Sequence, residues 1–299
     1  MHDLIIIGAG PAGMTAGIYA SRYGLDTIII SEDVGGLMNE ADPVENWSGI
    51  KSIHGFQLMK NFKDHVEDLK VPIKTEEVKF ISKIIKDNNT VFKVKTKNKI
   101  YSAKSLIIAS GSKRRKLEIP GEKKYEGKGI HYCATCDAPM YRNKNVAVIG
   151  GGESAAQAVM LLAQYAKKVY LMYRGDQLKT EKIYIKRMQA NKKVKIMLNT
   201  EVKRFNGNHL LKDITLQNDD IMKLDGVFVE IGHLPSSELA EQLNVKVVDK
   251  KIEVNDMKET NIKGVFAAGD VTNTVLRQCV TACSDGAIAA YGAYNYLNQ

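Results

Sequence analysis

An α/β fold of two Rossmann-like domains, the second inserted into the first, is predicted by three features of this 299-residue sequence. Leu4 to Ile7 is a short apolar run that ends in Gly8-Ala9-Gly10-Pro11-Ala12-Gly13, the pattern of a strand turning through glycines into a helix. The pattern returns at Val146 to Ile149, followed by Gly150-Gly151-Gly152-Glu153-Ser154-Ala155. The C-terminal segment of about 60 residues is too short to bury a core well alone, so it belongs with the first domain.

Each copy reads through in the same order. Ala12 to Tyr23 has a helical pattern, with Gly24 at its C-terminal cap, and Thr27 to Ile30 is a second buried strand. Leu106 to Ala109 is a later buried strand that ends before Gly111. In the second copy Ser154 to Ala166 is the helix, Val169 to Tyr173 the next strand, and Val227 to Ile231 the strand before Gly232. Short alternating strands, Thr90 to Thr96 and Ile214 to Gln217, lie between these points. The tail holds a strand at Val265 to Ala268, Gly269-Asp270, and a largely helical stretch from Val275 to Leu297. The expected boundaries are 1–112 with 237–299 for the first domain and 113–236 for the insert.

Hydrophobic residues make up 44% of the chain and charged residues 26%, a globular composition that argues against disorder. No apolar run approaches the roughly 18 residues of a membrane span. The N-terminus has neither a basic segment nor a cleavage site, so a cytoplasmic location is expected, with no membrane association. The net charge of +9 is uneven: residues 113–236 hold 23 Lys/Arg against 13 Asp/Glu. A basic insert on a neutral frame suits an anionic ligand or partner; no nucleic-acid-binding motif accompanies it.

The glycine turns have a direct physical reading. Gly8 makes the tight turn, Gly10 lets a pyrophosphate approach the backbone, and Gly13 lets helix and strand pack closely. Pro11 and Ala12 open the helix whose amide N–H groups face the anion. Ser31 or Glu32, at the end of the second strand, is the candidate for the adenosine ribose. In the second copy Gly150, Gly152, Ser154 and Ala155 repeat the fingerprint, and Glu153 begins the helix. There Tyr173 stands in place of a carboxylate, with Arg174 and Lys179 nearby, a pattern that tolerates a 2′-phosphate.

Cys133 and Cys136 form a Cys-x-x-Cys pair followed by Asp137, a redox spacing in which the acid moves a proton to or from a thiol. A zinc site that borrows Cys279 and Cys283 is the disfavoured alternative; those two are expected to be buried, inert thiols, and no metal is expected.

Two nucleotide fingerprints with Cys-Ala-Thr-Cys-Asp ahead of the second resemble the low-molecular-weight thioredoxin reductases. The resemblance covers essentially the whole chain. It includes Gly35-Gly36-Leu37, Val44-Glu45-Asn46-Trp47, Ala109-Ser110-Gly111, Ile119-Pro120-Gly121-Glu122, Gly232-His233, Gly269-Asp270-Val271 and Arg277-Gln278. It implies a homodimeric FAD enzyme that carries electrons from NADPH to thioredoxin or a thioredoxin-like disulfide protein. Gly8, Gly10 and Gly13 would hold the FAD pyrophosphate, and Gly35, Gly36, Leu37, Asn46, Ala109 and Gly111 would line the cofactor. Asp270 would hold the ribityl chain; Arg277, Gln278 and the Cys279 backbone would face the flavin. Cys136 would be the thiol nearer the flavin, Cys133 would attack thioredoxin, and Asp137 would carry the proton.

Three departures stand out. The family's His-Arg-Arg, three residues, then Arg reads Tyr173-Arg174-Gly175 and then Lys179, so NADPH is expected to be preferred only modestly over NADH. Ala138-Pro139-Met140 replaces Gly-Phe-Phe after the Cys motif, and Leu37 replaces a glutamine. The reading is an FAD-dependent thioredoxin-disulfide reductase. Its rivals are the same enzyme fed by NADH, ferredoxin or a deazaflavin, a nicotinamide–ferredoxin oxidoreductase, and a non-catalytic FAD-binding redox sensor. Because one flavin position cannot serve nucleotide and disulfide together, the insert is expected to rotate about Ser112 to Lys116 and Gly232 to Ser236.

Overall fold

The computed structural model describes residues 1–41, 44–86 and 89–299. The chain divides into two compact units, 1–113 with 234–299, and 114–233. Ser236, expected at the end of the insert, lies in the first unit, where its N–H donates to the Gly111 carbonyl at 3.0 Å.

In the first unit the run Leu4 to Ile7 forms the centre of the strand His2–Ala9. Thr27–Val34 pairs with it in parallel on one edge and Ile100–Ile108 on the other. Ile73–Thr75 adds in parallel beyond Thr27–Val34. Two strands share the far edge of Ile100–Ile108. Asn89–Thr96 runs antiparallel to its first half, and Val265–Ala267 runs parallel to its last residues. The second pairing brings the C-terminal segment into the first sheet, as the size of that segment requires.

A parallel strand segment buried on both faces must be apolar at every position, and Leu4 to Ile7, at the centre of His2–Ala9, is. Leu4 and Ile6 face a core shared with the helices Pro11–Arg22 and Cys279–Leu297. Ile5 and Ile7 face the opposite core, with Ile81, Phe92 and Val245. The two helices meet through small residues: a Cβ on Gly286 would lie 2.1 Å from the Ala12 carbonyl oxygen. This close approach sets the first turn of one helix against the second turn of the other, with Cys283 Sγ 3.9 Å from the Pro11 carbonyl oxygen.

The second unit repeats the plan. Its parallel sheet runs Val194–Met197, Lys168–Met172, Asn145–Ile149, Gly226–Val229, Ile130–His131. Val146 and Val148 pack under the helix Glu153–Tyr165. Ala147 and Ile149 pack on an antiparallel layer, Val202–Gly207, Leu211–Leu216 and Ile221–Lys223, through Phe205 and Ile214. In both units the outermost strand past the centre leads directly into chemistry: Val265–Ala267 runs to Gly269-Asp270, and Ile130–His131 runs to Cys133. Ligands of such sheets bind outside the carboxyl ends of the strands, and these residues stand there.

The two crossings between the units, Ser112–Arg114 and His233–Pro235, pair as a two-stranded ribbon. Elements expected from sequence are present with shifted ends. Thr27–Val34 runs past Ile30, and Ile100–Ile108 begins six residues before Leu106. The last helix begins at Cys279 rather than Val275, because Gln278 caps it: its side chain and that of Thr281 each accept the other's backbone N–H. Among the described residues no helix is long and apolar enough to cross a membrane.

Candidate active site

The first glycine turn is built by exclusion. Gly8 has φ +110°, and a Cβ there would lie 2.2 Å from the Ala109 carbonyl oxygen. A Cβ on Gly13 would lie 1.9 Å from the Gly8 carbonyl oxygen, so helix and turn touch through bare backbone. Gly10 differs: nothing lies within 4 Å of its Cβ position, and its Cα is 3.8 Å from the Cβ position of Gly36. Gly35 and Gly36, with φ +101° and +55°, turn that second segment toward it. Bare backbone on two sides of open space beside a helix start fits the pyrophosphate of a dinucleotide.

The structure divides the ribose candidates. Ser31 is buried and its hydroxyl oxygen accepts the Ala9 N–H at 3.0 Å; Glu32 is exposed at the strand end. Leu37 lies on the short 3-10 helix after Gly36. The Asn46 amide donates to Gln278 Oε1 at 2.9 Å, bringing together residues 232 apart in sequence. Ala109 donates its N–H to Ile7, and Gly111 follows with φ +63°. Asp270 is half-buried, and desolvation raises its carboxyl above the usual range against the pull of Arg277. Sequence reasoning missed its support: Asp285 accepts the Gly269 N–H and pairs with Lys258 at 2.6 Å.

Cys279 and Cys283 are both reduced, Cys279 buried and Cys283 partly so. The two thiols share a hydrogen bond, which pushes Cys279 up and Cys283 down; burial also raises Cys279. No group of three His, Cys, Asp or Glu that could hold a metal occurs among the described residues.

The second turn repeats the exclusion. A Cβ on Gly150 would lie 2.1 Å from the Glu230 carbonyl oxygen and 2.9 Å from Ala155 Cβ. Gly152 caps the helix and faces space open to 4 Å. Glu153 accepts the Gln157 amide at 3.2 Å, turned along its own helix, and Ser154 is exposed. Arg174 and Lys179 are exposed, and the Lys179 N–H donates to the Gly151 carbonyl at 2.6 Å. The Tyr173 ring lies against Gly151 and Gly175: Cβ atoms there would approach it to 2.4 and 2.7 Å.

Cys133 and Cys136 are joined as a disulfide on the turn Ala134–Asp137. The Cys136 N–H donates to Cys133 Sγ at 3.1 Å. Asp137 follows directly, and His131 Nδ1 lies 2.7 Å from its Oδ2. His131 Nε2 is 2.6 Å from the Tyr141 hydroxyl, and Phe228 stacks on the imidazole at 5.3 Å. Nearby, Arg114 and Glu230 approach to 3.6 Å. Burial pushes Glu230 up to about 7 despite that guanidinium. His131, Tyr141, Arg114 and Glu230 escaped sequence reasoning; the one available signal was the position of His131 and Tyr141 on either side of the Cys motif.

Glu230 makes stability depend on pH. The folded chain keeps its proton to about pH 7, whereas the unfolded chain releases it near the ordinary carboxyl value of 4.5. Folded protein therefore binds the extra proton between those values, and its stability falls as pH rises through that window. Glu230→Gln removes the exchange. The urea midpoint of the parent chain is expected to drop relative to that of the variant between about pH 5 and pH 8. Parallel pH curves would contradict the assignment.

The chain matches the pyridine nucleotide-disulphide oxidoreductase family over residues 2–286. It is 38% identical to a thioredoxin reductase of Bacillus subtilis, an alignment spanning 100% of this chain and 96% of that protein. The thioredoxin reductase of Lactococcus lactis, solved in its FR conformation, is 32% identical with a TM-score of 0.94, covering 100% of this chain and 99% of that one. That of T. acidophilum is 33% identical with a TM-score of 0.92, covering 98% of each chain. With its paired glycine turns and its Cys-x-x-Cys disulfide, the chain belongs to the pyridine nucleotide-disulphide oxidoreductase family, among the thioredoxin reductases.

Proposed function

We propose that the protein is an FAD-dependent thioredoxin-disulfide reductase that draws electrons from a pyridine nucleotide. The observation that carries this reading is the Cys133–Cys136 disulfide on a tight turn, with a backbone donor on one sulfur and a carboxyl on the next residue. FAD, when bound, supplies two-electron chemistry between nucleotide and disulfide. The bare backbone at Gly8, Gly10, Gly13, Gly35 and Gly36 would hold its pyrophosphate, Glu32 its ribose, and Asp270, Arg277 and Gln278 the flavin half.

The protein's own steps run through sulfur. In the reduced pair Cys133 attacks a disulfide sulfur of the partner as thiolate, and the Cys136 N–H at its sulfur favours that charged form. The attack forms a mixed disulfide and releases one partner thiolate. Cys136 then attacks Cys133, re-forms the internal disulfide and frees the second partner thiolate. Asp137 takes the proton from the attacking thiol and returns it to the leaving one. The partner is reduced by two electrons and the Cys pair is oxidised by two. We place this chemistry in the cytoplasm, in a homodimer, with an acidic thioredoxin-like partner that suits the basic 114–233 unit.

For the donor we propose NADPH with only a modest preference over NADH. Arg174 and Lys179 are exposed beside the second glycine turn, but Gly175 carries no side chain and the Tyr173 ring takes the space beside it. A lysine meets a phosphate as a point charge and not as a fork.

Two experiments test these readings. Cys133→Ser and Cys136→Ser are each expected to abolish reduction of thioredoxin while the purified proteins stay yellow with bound FAD. Substantial activity in either variant would overturn the relay. Anaerobic flavin reduction by NADPH and NADH, compared side by side, is expected to favour NADPH by about tenfold, or about 1.4 kcal/mol. Arg174→Ala is expected to erase most of that ratio. An unchanged ratio would move the phosphate site elsewhere, and no reduction by either nucleotide would favour ferredoxin or a deazaflavin as donor.

A further inference from the structure

His131 has no part in the chemistry above, yet it is buried against the acid that the chemistry needs. We propose that His131 is a positioning residue for Asp137: with Tyr141 behind it, it fixes the carboxyl beside the Cys pair, where that carboxyl exchanges its proton. The inference rests on the disulfide-reductase reading and deepens it.

Three observations carry it. First, the contacts form an unbroken chain, Tyr141 hydroxyl to His131 Nε2 at 2.6 Å and His131 Nδ1 to Asp137 Oδ2 at 2.7 Å. Second, the chain has a direction. Burial and the nearby Asp137 push the Tyr141 hydroxyl up to about 12, so it stays protonated and can donate to Nε2. The ring's other nitrogen then carries the N–H and donates it to the carboxylate. Third, the imidazole has little freedom. It is 7% exposed, stacked on Phe228, and Tyr141 meets Phe228 edge-on at 5.3 Å. Asp137 sits on a four-residue turn with its side chain 27% exposed, so without this contact its carboxyl would turn freely.

The chemistry gives such a residue a task. Opening the Cys133–Cys136 disulfide takes two electrons, delivered from the flavin, and two protons to leave two thiols. One carboxyl holds only one proton. The same carboxyl must therefore act once for each proton, reloading from solvent in between, and a histidine that holds it in one place serves both transfers. The other groups that face this chain are Asp225, toward Tyr141, and Arg114, which faces both Asp137 and Glu230. The test leaves these groups and Glu230, which changes charge near pH 7 in parent and variants alike, in place and varies His131 alone.

The experiment compares FAD-loaded parent protein, His131→Ala and His131→Asn in steady-state reduction of thioredoxin from about pH 5.5 to pH 9, with FAD content and urea midpoint measured for each. His131→Ala is expected to lose about tenfold in kcat, with KM for thioredoxin nearly unchanged. His131→Asn, whose amide can still donate from near the Nδ1 position, is expected to regain most of that loss. The pH profiles of both variants are expected to differ from the parent's, because the hydrogen-bond partner of Asp137 has changed. The proposal is overturned if His131→Ala keeps the parent kcat, if its pH profile superimposes on the parent's, or if His131→Asn is as slow as His131→Ala. A parent protein that cannot reduce thioredoxin at all would instead overturn the function itself.

Discussion

The carbonyl oxygen of Gly8 lies 1.9 Å from where a side chain on Gly13 would begin. That steric exclusion seats the first helix on the central strand and aims its N-terminal amides past the carboxyl edge of the sheet. Gly286 extends the same constraint to the C-terminal helix, whose start is thereby held beside Pro11. The same packing sets Gly269, just before Asp270, against the first helix, its Cβ position 3.0 Å from Ala12 Cβ. Inserting even one methyl group into such a contact typically costs about 1–3 kcal/mol, a large share of a domain's stability. The second unit uses the same device between Gly150, Ala155 and the Glu230 backbone. One packing rule, applied twice, therefore makes both nucleotide cradles.

Around the disulfide the governing term is desolvation. Glu230 is close to an arginine and still rises to about 7, so burial outweighs the ion pair there. The same dry surroundings hold Tyr141 protonated and give its short contact with His131 a fixed direction. The exposed ion pairs elsewhere, such as Lys60 with Asp64, are screened by water and organise nothing.

Local pattern carried most of the fold and half of the site. The apolar run at Leu4 to Ile7, the glycine spacing and the Cys-x-x-Cys pair are each readable within ten residues, and each stands where its spacing implies. What escaped is non-local. Ser31 and Glu32 are adjacent and chemically similar as acceptors; only the Ala9 N–H, across the strand pair, separates them. Lys258 and Asp285 meet under Gly269 although they stand 27 positions apart in sequence. His131 reads as the end of a two-residue strand until the turn after it doubles back and sets Asp137 against its ring. The helix that begins at Cys279 was read four residues too long because capping by Gln278 and Thr281 is a side-chain geometry that periodicity does not see.

The central claim is that a flavin and the Cys133–Cys136 pair form one redox unit. Anaerobic titration of the purified FAD-loaded protein with dithionite, followed by flavin absorbance, counts the electrons it holds. The account predicts four per chain, two for the flavin and two for the disulfide, since Cys279 and Cys283 are already reduced. Uptake of only two electrons, with the Cys133–Cys136 disulfide still intact at the end point, would contradict it.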